Sequence, residues 1–477
     1  TASNTQWAGT KTVCVSTDGD FTGAPSGCTP VTSSNAVTAI SGNIGSGDVR
    51  ILFKRGQTFT VGSSISITQQ GPGYIGAWGS GAKPIFDLTT ANSGIGLSSS
   101  GTPTLSDWRF VDIDFDGNDL DCAAFGSNHA CNKITVLRCD MHNLKWGLVF
   151  SDDTLNLANA GSYTHPIWSN FYVADNNIHD LVGVSNGSNG MYIAFERSAV
   201  LGNSVDPNNK GEHGIRSSFQ RLCVFSHNTI TGIPSGRAFL TLRSPNQGGA
   251  SFPSSEYGTY VYSEKNYVSD NYSYGGYTTG MSGTGPINSS SDGRSRDFIW
   301  ERNIFFGSAT TTSMLTLSGT QITARNNLFS LQNAGTAINA ARLTASPMPT
   351  DIWAYNNSLY ASNAGYTYLF LVSGGSMAGS TFTFKNNLFY GPSISSYGKL
   401  IDQAFDVYAT IVEGGNTPDA NYATNPNFTT TPPTTSAHFK PTTGSYAIAS
   451  GVAVPVWSDY FGVQTLNGTR DMGAVKH

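Results

Sequence analysis

The stretch FKNNLFYG (Phe384–Gly391) reads as two short apolar runs joined by an asparagine-centred turn. The same phrase returns as AYNNSLYAS (Ala354–Ser362), ARNNLFS (Ala324–Ser330), ERNIFFG (Glu301–Gly307), VSDNYSYG (Val268–Gly275), FSHNTITG (Phe225–Gly232), VLGNSVD (Val200–Asp206) and VADNNIHD (Val173–Asp180). With Asn177, Asn203, Asn228, Asn271, Asn303, Asn327, Asn357 and Asn387 as turn residues, the gaps are 26, 25, 43, 32, 24, 30 and 30 residues. A period in the twenties and thirties with scatter in length is the mark of a solenoid, one coil per repeat, with loops inserted where the gap is long.

The runs between turns are three to six residues long and rich in Val, Ile, Thr, Phe and Tyr. They carry no sustained i, i+3, i+4, i+7 stripe, so the coils are strands rather than helices. Asparagine tolerates left-handed backbone and bonds neighbouring backbone groups, so a stack of Asn side chains in successive turns is expected to hydrogen-bond along the axis. Working outward, DVRILFKRGQTFTV (Asp48–Val61) reads as strand, turn, strand; WRFVDIDFDGN (Trp108–Asn118) as one strand with turn residues at its end; KITVLRCDMHN (Lys133–Asn143) as the next. The expected organisation is all-β: a single parallel β-helix over residues 61–400 with a tyrosine-rich insertion at about 244–280, an N-terminal segment and cap at 1–60, and an irregular C-terminal cover at 401–477 that protects the open edge of the last coil.

Composition narrows the function. Of 477 residues only 12 % are charged while 12 % are aromatic, with 54 glycines. The net charge of −5 gives no electrostatic reason to expect nucleic acid. No apolar run is long enough to span a bilayer. Thr1 reads as the start of a processed chain, and Cys14–Cys28 and Cys122–Cys131 each close a short polar loop, which suits disulfides in a secreted or periplasmic protein, with Cys139 and Cys223 as buried thiols.

Three coils align by hand: WGLVFSDD (146–153), NGMYIAFE (189–196) and HGIRSSFQ (213–220). Gly147, Gly190 and Gly214 share a column, and Leu148, Met191 and Ile215 form an inward one. Strand alternation then sends Val149, Tyr192 and Arg216 outward. Asp153 and Glu196 follow in a further outward column, and AFLTLR (238–243) adds Arg243. This patch adjoins DPNNKGEHGIR (Asp206–Arg216), where Lys210, Glu212, His213 and Arg216 crowd into a charge-poor chain. The insertion that follows carries Tyr257, Tyr260, Tyr262, Tyr267, Tyr272, Tyr274 and Tyr277, rings suited to stacking on sugars.

The Asn turns, FDGN at 115–118 and RDMGAV at 470–475 resemble the right-handed parallel β-helix superfamily of pectate-lyase-like proteins, over about residues 60–400. The resemblance implies a long carbohydrate chain as substrate, since the superfamily contains polysaccharide lyases, glycoside hydrolases, uronate epimerases and phage depolymerases. The expectation is β-elimination in an acidic polysaccharide by a monomer that needs no cofactor. Arg216 would grip the uronate carboxylate, His213 would take the C5 proton if Gly214 bends the strand enough to turn the ring outward, and Tyr192 would donate to the leaving oxygen. Arg243, Lys210, Glu212, Glu196 and Asp153 would bind substrate. The alternatives are a hydrolase using Asp153 and Glu196 as paired carboxyls and a non-catalytic carbohydrate-binding solenoid. Several lyases of the superfamily neutralise the uronate with calcium, so calcium is a candidate ion here. DIDFDGNDLD (Asp112–Asp121) has the composition of a calcium loop, but Ala123 stands where an EF-hand has its Glu, and alternation would set Asp112, Asp114 and Asp116 on one solvated strand face. His142, His179 and His227 read as turn-bonding residues.

Overall fold

The structure is a computed structural model. It describes residues 6–92, 94–97, 105–127, 129–150, 168–183, 187–234, 237–244, 263–275, 279–286, 295–307, 313–317, 319–331, 335–341, 351–362, 367–373, 379–392, 399–403, 410–456, 458–463 and 470–476. The chain divides into two compact units, residues 1–152 with 164–217, and residues 153–163 with 218–477. Each is a parallel β-helix whose coils have three strand faces.

In the first unit, one face stacks Thr12–Ser16, Val49–Lys54, Gly73–Trp78, Leu105–Val111, Cys131–Leu137, Tyr172–Ala174 and Ala199–Leu201 in parallel register. The second stacks Thr58–Val61, Ile85–Leu88, the starts of Asp114–Gly126 and Asp140–Phe150, then Asn177–His179 and Ser204–Asp206. The third stacks Ser64–Ile67, Gly94–Leu97, the ends of Asp114–Gly126 and Asp140–Phe150, and Asn189–Glu196. Inside, Phe53, Phe59, Phe86, Phe115 and Phe125 meet edge to face at 4.8–5.4 Å. The helix Ala36–Ser41, not anticipated from the sequence, starts at Asn35, whose side chain accepts from the Thr38 N–H. In the second unit the three faces run through Val224–Ser226 to Thr410–Gly414, Thr229–Ile230 to Leu388–Tyr390, and Leu240–Ser244 to Lys399–Gln403. The C-terminal cover buries Phe428, Phe439, Met472 and Val475 against Leu328, Tyr360, Leu388 and Tyr390, along the side of the coils.

Each coil turns at a residue with left-handed backbone: Asp175, Gly202, His227, Asp270, Arg302, Asn326, Asn356 and Asn386 all have φ between 48° and 62°. The asparagine that follows points inward. Asn271 Nδ2 donates to Asn303 Oδ1 at 2.9 Å, Asn303 Nδ2 to Asn327 Oδ1 at 3.0 Å, Asn327 to Asn357 at 3.0 Å, and Asn357 to Asn387 at 3.0 Å. The ladder extends to Asn416, which the repeat phrase did not reveal. In the first unit the ladder residue is Asn176, whose Nδ2 donates to Asn203 Oδ1, while Asn177 bonds Asp140 on the strand face. The same left-handed corner occurs at Asp112 and Arg138, with φ of 60° and 52°. The segments around them, expected as single strands, therefore each break into two.

Breaking at Asp112 removes it from the strand face. Asp112 pairs with Arg55 at 3.0 Å and Arg138 at 2.7 Å, Asp114 with His142 at 3.0 Å, and Asp116 accepts from Asn118 N and Asn143 Nδ2. These carboxylates hold coils together, and no cluster of three or more metal-binding groups occurs among the described residues. His227 sits at a corner as expected, but His142 and His179 lie on strands, their rings stacked at 5.1 Å and 8° apart in plane. His179 contacts Asp140 at 3.1 Å and Asp180 at 2.7 Å. The hydrogen bond to Asp114 raises the His142 pKa above its ordinary 6.5, with Asp114, Asp116 and Asp140 adding charge attraction. A raised native pKa favours folding while the ring is protonated, so the contribution is complete below the ordinary value and is lost as pH rises through the native one. The stability advantage of the wild type over His142→Gln is expected to shrink as pH is taken from about 6 to about 8.5, read as the difference in Tm. A difference that stays constant or grows would refute it.

The cysteines correct the sequence reading. All six are free thiols. Cys14 and Cys28 share a hydrophobic cluster with Leu52 and Trp78 without bonding to each other covalently. Cys122 and Cys131 are separately buried, their thiols pushed up to about 11 and about 12 by desolvation. The Cys14 thiol lies within hydrogen-bonding reach of Cys28, whereas Cys131 packs in register with Leu105 of the neighbouring coil.

Candidate functional site

On the third face of the first unit, the hand alignment of coils holds from Trp146 to Phe150, but beyond it Phe195 pairs with Trp168 and Glu196 with Ser169, where the alignment sets Asp152 and Asp153. Leu148 pairs with Met191, Val149 with Tyr192 and Phe150 with Ile193. Leu148, Met191 and Ile215 are core residues. Glycine fills the column before them because the coils touch there: a Cβ on Gly190 would stand 2.6 Å from the Gly214 carbonyl oxygen and 2.5 Å from Val205, and one on Gly147 would stand 2.6 Å from the Gly190 oxygen. The adjacent outward column runs Ser66, Gly96, Gly126, Val149, Tyr192 through paired strands.

Arg216, on the strand His213–Arg221, closes over the end of that column. Its Cζ lies 4.5 Å from the centroid of the Tyr192 ring. Glu212 Oε2 accepts from Arg216 Nη1 at 3.2 Å. Glu212 is itself fixed by its backbone N–H, which donates to Ser188 O at 2.7 Å. The Tyr192 side chain is 8 % exposed, and its hydroxyl has no hydrogen-bond partner among the described residues. A buried hydroxyl left unpaired costs about 1–3 kcal/mol, so it is a place where a ligand oxygen would be welcome.

The other candidates fall differently. His213 is 6 % exposed, on a strand that runs unbroken through Gly214, and its N–H donates to Asn189 Oδ1 at 3.2 Å. The strand shows no break at Gly214 of the kind expected to turn the ring outward. Glu196 is 3 % exposed, with Arg197 Nη1 at 3.8 Å, and is no open carboxylate. Lys210 is exposed, its stem lying over Gly183. Asp153, the side chain of Arg243, and Tyr257, Tyr260, Tyr262 and Tyr277 of the insertion lie outside the described residues. Tyr267, Tyr272 and Tyr274 are coil residues of the second unit, on Ser263–Ser269 and Tyr272–Gly275, and Tyr267 donates to Glu301 at 2.6 Å.

The sequence reading missed a groove of about 730 Å³ on the same outward column, lined by Gly94, Gly96, Asp121, Gly126, Ser127, His129, Lys145, Trp146 and Val149. Small residues in the column make room for it. Lys145 is buried beside it, its Nζ 2.9 Å from Asp121 Oδ2 and 4.0 Å from the Trp146 ring centroid. Trp146 Nε1 donates to Gly187 O at 2.9 Å, and the Glu212 carboxylate lies over Gly187. Val149 belongs to both groove and column, so the groove leads to Tyr192. The signal was present as glycines at 94, 96 and 126, but only the register lines them up.

Comparison with known proteins gives fold and nothing finer. No protein-family description matches the chain, and no curated protein matches it. Among solved structures, a double mutant of the tailspike protein of E. coli bacteriophage HK620 is 14 % identical with a TM-score of 0.51, covering 84 % of this chain and 78 % of that one. The same tailspike in complex with pentasaccharide is 15 % identical with a TM-score of 0.50 over the same shares. Pectate lyase Pel9A is 13 % identical over 99 % of this chain and 98 % of that one, with a TM-score of 0.41. No helix of the described residues is long and apolar enough to cross a membrane. Stacked parallel coils, inward asparagine ladders and the likeness to the tailspike structures together give the fold as a right-handed parallel β-helix.

Proposed function

We propose that this protein is an exported, monomeric polysaccharide lyase that cleaves an acidic glycan by β-elimination at Tyr192, Arg216 and Glu212. The observation that carries the reading is the Tyr192 hydroxyl, buried without a described partner under a guanidinium that Glu212 holds in place. The groove along Gly96, Gly126 and Val149 would seat the chain, with Trp146 and Lys145 on its wall.

Arginine offers a planar, permanently charged fork to the uronate carboxylate, which acidifies the C5 hydrogen. In this reading the proton transfer is assigned to Tyr192, whose ring lies against Arg216, rather than to His213, which shares the inward parity of Ile215. The Tyr192 hydroxyl gives its proton to O4 as the C4–O4 bond breaks, the C5–H electrons form the C4–C5 double bond, and the phenolate oxygen so formed takes the C5 proton. Arg216 beside the ring offsets the negative charge that passes through the phenol oxygen. Lys210, exposed on the same unit, would bind a further uronate. In this reading the chain's own residues suffice, and calcium, if bound with the substrate, would supply only neutralisation of uronate charge. That the tailspike structure carries a pentasaccharide supports a carbohydrate partner for such a fold.

The test is a panel of polygalacturonate, alginate, hyaluronan and neutral glucans. Products are read both as reducing ends and as the ultraviolet absorbance of the conjugated unsaturated uronate. An absorbing product from an acidic polymer is expected. Reducing ends without absorbance would replace the lyase with a hydrolase, and binding without either signal would replace it with a carbohydrate-binding solenoid.

A further inference from the structure

The second unit holds a separate cleft of about 450 Å³ whose origin can be read in one outward column. Tyr274, Phe306, Ser330, Tyr360 and Tyr390 pair in register on successive coils. Four of the five are aromatic, and Ser330 is the gap. The C-terminal cover crosses above without filling it: Ser330 Oγ donates to Pro433 O at 3.3 Å. The cleft is bounded by Tyr272, Tyr274, Phe306 and Tyr360 on the coil side and by Pro432 to Thr434 on the cover side. Tyr274 stands at its mouth, 51 % exposed, while Phe306 and Tyr360 form its buried floor.

We propose that this cleft is a non-catalytic carbohydrate-binding site that takes neutral pyranose units. Its lining contains no Asp, Glu, Lys, Arg or His. A uronate would therefore enter without a cation to compensate its carboxylate, at the cost of desolvating a charge. A pyranose has one face of C–H groups and a rim of hydroxyls. Tyrosine rings supply stacking area for the first, and the Tyr, Ser330 and Thr434 hydroxyls with the cover's carbonyls supply partners for the second. The volume lies within the range of small-ligand sites, about 300–1,000 Å³.

The site stands independently of the lyase reading, because binding is its only readout. Calorimetric titration with cellohexaose, maltohexaose and laminarihexaose, and with hexagalacturonate as the acidic comparator, is made on the wild type, Tyr274→Ala, Ser330→Phe and Arg216→Ala. At least one neutral hexasaccharide is expected to bind the wild type and Arg216→Ala alike. Tyr274→Ala, which alters an exposed ring, is expected to weaken it by about tenfold. Ser330→Phe, which completes the aromatic column, is expected to abolish it. Absence of binding by all three neutral probes would overturn the proposal. So would binding that survives Tyr274→Ala, binding lost in Arg216→Ala instead, or hexagalacturonate binding with the same dependence on Tyr274.

Discussion

Asn327→Ala is expected to lower unfolding stability by on the order of 3–5 kcal/mol. Asn327 is fully buried, and its side chain makes four bonds. Oδ1 accepts from Asn303 N and Asn303 Nδ2, both at 3.0 Å. Nδ2 donates to Trp300 O and Asn357 Oδ1, both at 3.0 Å. Alanine cannot replace any of them, and water does not reach the coil interior to do so. Asn303 N is left with no acceptor, and each stranded buried group costs about 1–3 kcal/mol. Asn327→Asp keeps the acceptor but opposes a carboxylate to Asn357 Oδ1, so it is also expected to destabilise. Asn177→Ala is the matched control: it belongs to the same sequence phrase but its side chain bonds Asp140 on a partly exposed strand face, and a change below about 1 kcal/mol is expected. Urea midpoints with slopes decide it. An Asn327→Ala protein as stable as the wild type would show that the ladder is incidental.

Tyr192→Phe is expected to lower kcat on the acidic polymer by about 10²- to 10⁴-fold, the usual weight of a positioned proton-transfer group. The same variant should fold with unchanged or greater stability, since it deletes a buried hydroxyl that has no partner among the described residues. That opposition separates a reacting group from a packing one. Arg216→Lys retains the charge and loses the planar fork and the stack on the ring, so kcat/KM should fall by at least about 100-fold. Glu212→Gln should produce a smaller loss, because it weakens the grip on Arg216 Nη1 at 3.2 Å without touching substrate. Activity retained in Tyr192→Phe together with lost stability would remove Tyr192 from the chemistry.

The architecture was legible because it is repetitive. Each coil carries its own turn residue, its own glycine column and its own alternation, so the inward set Leu148, Met191 and Ile215 and the outward set Val149, Tyr192 and Arg216 could be read three times over. Where a phrase held two asparagines in a row, reading was ambiguous. In NN at 326–327 the first residue takes the left-handed corner, whereas in DNN at 175–177 Asp175 takes it and Asn176 becomes the ladder residue. The break at Asp112 was hidden for a related reason, since an aspartate in a corner and one on a strand look alike until the backbone is traced.

The candidate site was legible only in part. Parity argued that His213 points inward, and the strand His213–Arg221 runs through Gly214 without a break. The two expected cysteine pairs also needed the structure, which brings Cys14 and Cys28 into one cluster and sets Cys131 in register with Leu105. The sequence by itself determined the solenoid, the strand faces and the outward placement of Tyr192 and Arg216, since these follow from local turn chemistry and a two-residue alternation. Only the tertiary structure decided that Arg216 stacks on Tyr192 under Glu212, that Gly96 and Gly126 open a groove, and that Ser330 leaves a gap in an aromatic column. Those are relations between coils, set by register and by the side-chain volumes that register brings together.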